Sequence, residues 1–109
     1  MGISTHVLDA ARGRPASGVA VRLEHRADDG TYTETARAAT DADGRIGAWT
    51  VTAPGTYRLV FDTGAYFAAR GQPAFYPEVT VTFAVTVPEE PHHVPLLLSP
   101  FAYSTYRGS

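Results

Sequence analysis

Apolar and polar residues alternate with a period of two along most of the chain. In residues 19–26 three apolar side chains alternate with three charged ones, and residues 79–87 alternate valine or phenylalanine with threonine or alanine. Because successive side chains of a strand point to opposite faces, this pattern predicts strands that bury one face. Together with turns at glycine, proline and aspartate, it predicts eight strands, at residues 3–9, 19–26, 31–38, 46–51, 56–62, 77–87, 94–98 and 101–106.

Residues 63–71 are the one stretch that favours a helix. Thr63 is a suitable N-cap residue, Gly71 is a suitable C′ residue, and Pro73 follows shortly after. Such a short helix does not stand alone, so we expect it to pack on a sheet. Eight short strands with one short helix predict an all-β fold, an eight-stranded antiparallel β-sandwich. At 109 residues the chain is expected to form a single domain, residues 1–109.

Strand alternation also sorts the histidines. In the first strand His6 shares a face with Leu8. Near the C-terminus His93 shares a face with Pro95 and Leu97, so the adjacent His92 points to the other face. For each histidine, a structural role at a strand edge competes with a role in a functional site.

Composition and charge exclude several classes of partner. The chain has no cysteine, so it forms neither a disulfide nor a thiolate metal site. Its formal net charge is −2 with no basic block, which argues against a nucleic-acid partner. No apolar run approaches the ~20 residues that span a bilayer, and no charged and then apolar leader precedes the first strand. We therefore expect no membrane partner and a cytoplasmic location.

The polar turn around Asp41 and Asp43 superficially matches a calcium-binding loop. Counted from Asp41, however, position 12 of such a loop is Thr52, where calcium coordination needs a glutamate. We therefore predict no metal here, and interpret these residues as a tight turn that leads through Gly44 into Arg45.

Four segments together carry a resemblance to a known family. They are residues 5–9 (THVLD), 43–45 (DGR), 93–100 (HVPLLLSP) and 106–109 (YRGS). With this spacing the chain resembles the transthyretin-related family over nearly its full length, and within it the branch of 5-hydroxyisourate hydrolases. The terminal YRGS is the motif that separates this branch from true transthyretins. His92 departs from the family, which often has tyrosine there, but the alternation places it away from the other histidine's face.

The resemblance implies an assembly and a set of site residues. The expected fold is two four-stranded sheets, and the expected assembly is a homotetramer, a dimer of dimers formed by edge-strand pairing, with a channel between dimers. The family's catalytic positions fall on His6, Arg45, His93 and Ser109. Its substrate-binding positions along the channel fall on Leu8, Pro95, Leu97, Ser104 and Tyr106. No cofactor is implied.

The residue types suit the implied reaction, hydrolysis of the N1–C6 amide bond of 5-hydroxyisourate to 2-oxo-4-hydroxy-4-carboxy-5-ureidoimidazoline in purine breakdown. A neutral imidazole is a suitable base and an imidazolium a suitable acid, so His6 and His93 share these tasks in an order that the sequence leaves open. The Arg45 guanidinium can stabilise a developing oxyanion. Ser109, with its hydroxyl and the terminal carboxylate, is expected to position the substrate or a histidine.

Two other classes of function remain as alternatives. A ligand carrier like transthyretin would use the same channel without catalysis, although three polar site residues and the bulky Tyr106 do not favour one. A structural sandwich module would explain neither the polar residues in one channel nor a C-terminal segment that stays apolar nearly to its end.

Overall fold

The computed structural model describes residues 2–109, which form nine strands and one helix. All eight predicted strands are present, and their ends differ from the predicted ones by a few residues at most. The two-residue strand Arg14–Pro15 was not predicted. The helix α1 is Thr63–Ala68, and the strands are β1 Ile3–Asp9, β2 Arg14–Pro15, β3 Ala20–Arg26, β4 Tyr32–Ala39, β5 Arg45–Trp49, β6 Gly55–Phe61, β7 Val79–Val85, β8 His92–Ser99 and β9 Ala102–Thr105.

The strands form two sheets, as the predicted all-β sandwich requires. One sheet has the order β4-β3-β6-β7 and is antiparallel throughout. The other has the order β2-β1-β8-β9, and β5 also pairs with the β2 side of β1, so this sheet has five strands rather than four. Its central pair, β1 and β8, is parallel, with Ile3 opposite His92 and Asp9 opposite Leu98. The prediction of a wholly antiparallel sandwich is wrong at this pair, because side-chain alternation is the same in both strand directions.

The core lies between the two sheets. The sheet that contains β1 and β8 supplies fully buried residues such as Ile3, Val7 and Leu96 from its inner face. They pack in one cluster with the inner face of the β4-β3-β6-β7 sheet, including Leu59 and Phe61. Truncating a buried leucine such as Leu96 to alanine costs about 2–5 kcal/mol of unfolding free energy. Because the inner faces of β1 and β8 pack in this core, the core fixes the positions of the side chains on their outer faces.

Helix α1 packs on the sandwich as predicted, with Tyr66 and Phe67 buried. The predicted caps are wrong. The N-cap residue is Asp62, which forms no side-chain capping bond, and Thr63 is the first helical residue, with its side chain buried. The helix ends at Ala68 with Ala69 as C-cap, and Gly71, with φ of +67°, lies beyond the C′ position. In residues 2–109 no helix has the length and apolar character needed to cross a membrane.

Candidate active site

The outer faces of β1 and β8 carry most of the predicted site residues. The burial pattern of β1 alternates residue by residue, so the predicted division into two faces is confirmed. His92 is buried on the inner face, with only 5% of its surface exposed, which confirms that it points away from its neighbour. The outer face presents Ser4, His6 and Leu8 from β1, and His93, Pro95 and Leu97 from β8.

His6 lies at the centre of one row of side chains across this sheet. Arg45 of β5 is opposite it on one side, and Pro95 of β8 on the other. Residues opposite each other on neighbouring strands have Cβ atoms about 4.5–5.5 Å apart. The guanidinium of Arg45 and the imidazole of His6 are therefore neighbours on an accessible surface.

The turn before Arg45 explains how it reaches this row. Gly44 has φ of +75°, and a Cβ atom there would collide with the carbonyl oxygen of Val7. The Val7 N–H donates a 2.7 Å hydrogen bond to the Gly44 carbonyl. Glycine thus lets the turn dock directly on β1, which brings the next residue opposite His6.

The carboxylate of Asp41 stabilises the same turn. Its Oδ1 accepts hydrogen bonds from the backbone N–H groups of Asp43 and Arg45, at 2.9 and 3.0 Å. Asp41 therefore acts as a turn residue, bonding its own backbone. Among residues 2–109 no cluster of three or more histidine, aspartate or glutamate side chains is placed to hold a metal ion.

His93 lies in the next row, between Ser4 and Gly108. Ser4 is opposite it in the parallel β1–β8 register, and the Ser4 Oγ and His93 Nδ1 atoms are 2.9 Å apart. On the other side Gly108 forms an isolated β-bridge, donating its N–H to the His93 carbonyl at 2.8 Å. His93 and His6 are diagonal neighbours across the β1–β8 pair, a spacing that long side chains can bridge.

The environment of His93 favours its neutral form. Partial burial is the largest cause that lowers the pKa of its imidazole from the ordinary 6.5, and the charges of Arg45 and His6 lower this pKa further. An imidazole with a lowered pKa is unprotonated at neutral pH and is able to accept a proton.

The remaining predicted residues lie around these two rows. Leu8, Leu97 and Ser104 form a third row. Tyr106 is 59% exposed and, together with His93 and residues of β7, borders a cavity of about 150 Å³. Ser109 is exposed at the chain end, one residue beyond the Gly108 bridge. The structure thus brings His6, Arg45 and His93 together, whereas Ser109 stands at the edge of the group.

Ser4 is the contact that the sequence interpretation missed. Alternation along β1 places Ser4 on the face of His6 and Leu8, and this is the signal by which it could have been found. Its partner in β8, 89 residues away, depends on the parallel register, which no local pattern reveals.

The fold and this face define a transthyretin-like β-sandwich that carries a histidine and arginine site. The family model described as HIUase/Transthyretin family matches residues 3–108. The chain belongs to this family.

Named relatives and solved structures agree with this membership. The 5-hydroxyisourate hydrolase of Salmonella dublin is 48% identical over 110 residues, covering 98% of this chain and 80% of that protein. The structure of Klebsiella pneumoniae 5-hydroxyisourate hydrolase matches with a TM-score of 0.85 at 36% identity, covering 98% of this chain and 92% of the other. Sea bream transthyretin in complex with thyroxine matches with a TM-score of 0.92 at 35% identity, covering 99% and 95%. Both enzyme and carrier therefore share this fold.

Proposed function

We propose that this chain is a 5-hydroxyisourate hydrolase, which cleaves the N1–C6 amide bond of its substrate in urate breakdown. The observation that carries the proposal is the grouping of Arg45, His6 and His93 on one outer sheet face. Relatives that bear this enzyme's name reach 48% identity over nearly the whole chain, which supports the same conclusion.

His93 is the proposed base. The lowered pKa of His93 keeps its imidazole neutral at neutral pH, so it can take a proton from the attacking water. The water oxygen then attacks the C6 carbonyl, and its proton resides on the His93 ring. His6, the diagonal neighbour, donates a proton to N1 as the N1–C6 bond breaks.

Arg45 is the proposed oxyanion partner. It lies opposite His6, and its guanidinium is a permanent cation with several N–H donors. Negative charge develops on the carbonyl oxygen during attack at C6, and a fixed cation beside that oxygen stabilises the transition state more than the ground state.

The other predicted residues complete the proposed site. Ser109 supplies a hydroxyl next to Gly108, which forms a backbone bridge with His93. The substrate-binding wall is proposed to consist of Leu8, Pro95, Leu97, Ser104 and Tyr106. These residues are proposed to position the polar ring system of the substrate, with Tyr106 limiting the size of the ligand.

A homotetramer is the proposed assembly, and cytoplasm the proposed location. Strands β9 and β7 are edge strands, and their unpaired backbone groups favour pairing with a second copy. Large side chains on and beside β9 are exposed: Phe75 by 71%, Phe101 by 66% and Tyr103 by 41%. Covering this surface with further copies would enclose the site face in a channel between dimers.

One assay tests the proposed activity. Freshly made uricase product contains 5-hydroxyisourate, whose ultraviolet absorbance decays slowly on its own. Purified protein should accelerate this decay and form the ring-opened carboxylate product. A carrier of the transthyretin kind would bind without changing the decay rate, and that result would contradict the proposal.

A further inference from the structure

A serine outside the proposed catalytic set contacts the proposed base. Ser4 Oγ lies 2.9 Å from His93 Nδ1, which is hydrogen-bond distance. Both side chains are half-buried on the outer sheet face, and the parallel β1–β8 register places them directly opposite each other. The contact is therefore built into the sheet.

Two neighbours together fix the orientation of the His93 ring. Ser4 contacts the edge that carries Nδ1. The Gly108 backbone lies against the opposite edge, where an added Cβ would collide with Cδ2 and lie 3.1 Å from Cγ. Nε2 is the ring nitrogen that remains for the reaction.

The direction of the Ser4 contact decides what Nε2 can do. A neutral imidazole carries one proton, on either nitrogen, and the partner of one nitrogen selects the state of the other. If the serine hydroxyl accepts a hydrogen bond from Nδ1–H, Nε2 holds a lone pair and is a base. If the hydroxyl donates to Nδ1, Nε2 carries the proton and cannot accept one.

We propose that Ser4 is a positioning residue whose hydroxyl accepts a hydrogen bond from Nδ1–H of His93, so that Nε2 is held unprotonated and aimed at the attacking water. The water proton passes to Nε2, while the Nδ1 proton stays on the ring, hydrogen-bonded to Ser4. Ser4 itself exchanges no proton and touches no reacting atom. This inference rests on the proposed function and adds a residue to it.

The hydrogen bond also affects the proton affinity of His93. The charged groups that face its ring are Arg45 from β5 and His6 from β1, and both disfavour the imidazolium. A hydroxyl that accepts from Nδ1–H stabilises the imidazolium more than the neutral ring, because hydrogen bonds from charged donors are stronger. Losing the hydroxyl should therefore lower the pKa of His93 further.

Ser4→Ala and Ser4→Thr test the proposal, with Ser17→Ala in an exposed loop as the matched control. Ser4→Ala should lower kcat about 10- to 100-fold, the usual effect of losing an orienting partner, with a much smaller change in KM. Ser4→Thr keeps the hydroxyl on a residue suited to a strand and should restore most of kcat. Ser17→Ala should match the wild type, and all variants should keep the wild-type melting temperature within a few degrees.

A measurement without substrate separates Ser4 from the proposed function. The nitrogen NMR shift of His93 Nδ1, assigned with a His93→Asn variant, should report a protonated Nδ1 in the wild type. It should report a mixture of tautomers and a lower imidazole pKa in Ser4→Ala. If the wild type did not hydrolyse 5-hydroxyisourate, the proposed function would fail while this spectrum still decided the role of Ser4.

Three results would overturn the proposal. An unprotonated Nδ1 in the wild type would reverse the direction of the hydrogen bond. Wild-type kcat in Ser4→Ala would make the contact irrelevant to catalysis. Equal losses of kcat in Ser4→Ala and Ser4→Thr would show that the hydroxyl is not what the reaction needs.

Discussion

Gly108 lies against the imidazole of His93, with no room between them for a side chain. A Cβ on Gly108 would collide with Cδ2 of the ring, while the Gly108 N–H donates to the His93 carbonyl at 2.8 Å. The C-terminal tail therefore has a defined contact with the site, although Tyr106, Arg107 and Ser109 are exposed. Glycine serves here by its small size, because its φ is not in the left-handed region.

Gly108→Ala should displace the His93 ring and separate it from Ser4. We expect kcat to fall by about 10-fold or more, because a misplaced base loses much of its contribution. The melting temperature should change little, since the contact lies outside the core. Gly47→Ala is the matched control, because an added Cβ there meets no atom within 4 Å. Wild-type kcat in Gly108→Ala would show that the ring adapts freely and that the contact is not restrictive.

Side-chain alternation was sufficient to divide the histidines between faces. His6 and His93 lie on the outer face and His92 is buried, because the period of two runs along β1 and along β8, where Pro95 is buried although it lies on the outer face. Alternation could not identify the neighbour of each residue across the sheet. The pairing of His6 with Arg45 and of Ser4 with His93 depends on strand order and direction, and these are set by the packing of the whole sandwich.

Local signals were weakest where tertiary packing competes with them. Thr63 is a good N-cap residue by type, yet burial of its side chain takes precedence and Asp62 occupies the cap position. The parallel pairing of β1 and β8 was missed for a related reason. The segment between them contains all of the β4-β3-β6-β7 sheet, so no short connection signals their direction.

The three histidines in and beside the site should respond differently to substitution. His6→Ala and His93→Ala should each lower kcat by roughly 10²–10⁴-fold, the usual contribution of a general acid or base. His92→Ala is the control, because its side chain faces the core and its Nδ1 has no hydrogen-bond partner there. Its turnover should stay within a few-fold of wild type. A large loss of turnover in His92→Ala, with an unchanged melting temperature, would contradict the placement of His92 on the inner face.

The protein should be a tetramer at micromolar concentration. The unpaired edge of β9, its exposed Tyr103 and the preceding Phe101 give a second copy both backbone and apolar groups to bind. Static light scattering measures the mass directly, and activity should be lost on dilution to conditions where the mass falls. A fully active monomer would rule out a site enclosed between subunits.

The C-terminal tail should be needed for hydrolysis more than for folding. Residues 107–109 are outside the core, and only Gly108 forms a backbone bridge to β8. Deleting these three residues should leave the melting temperature nearly unchanged and abolish most turnover. A C-terminal affinity tag should be almost as harmful, because it adds further chain next to the Gly108 contact with His93, whereas an N-terminal tag should have a mild effect. Wild-type turnover in the truncated protein would remove Ser109 from the proposed site.

The lowered pKa of His93 predicts how activity and stability depend on pH. As the base, His93 must be unprotonated, so kcat should fall on acidification with a midpoint below the ordinary imidazole value of 6.5. At pH values between this lowered pKa and 6.5, His93 binds a proton in the unfolded chain but not in the folded protein. The free energy of unfolding should therefore decrease as pH falls through this window. His93→Gln lacks this group, so its stability should depend less on pH there. An acid limb of kcat above 6.5, or equal pH dependence of stability in both proteins, would contradict this prediction.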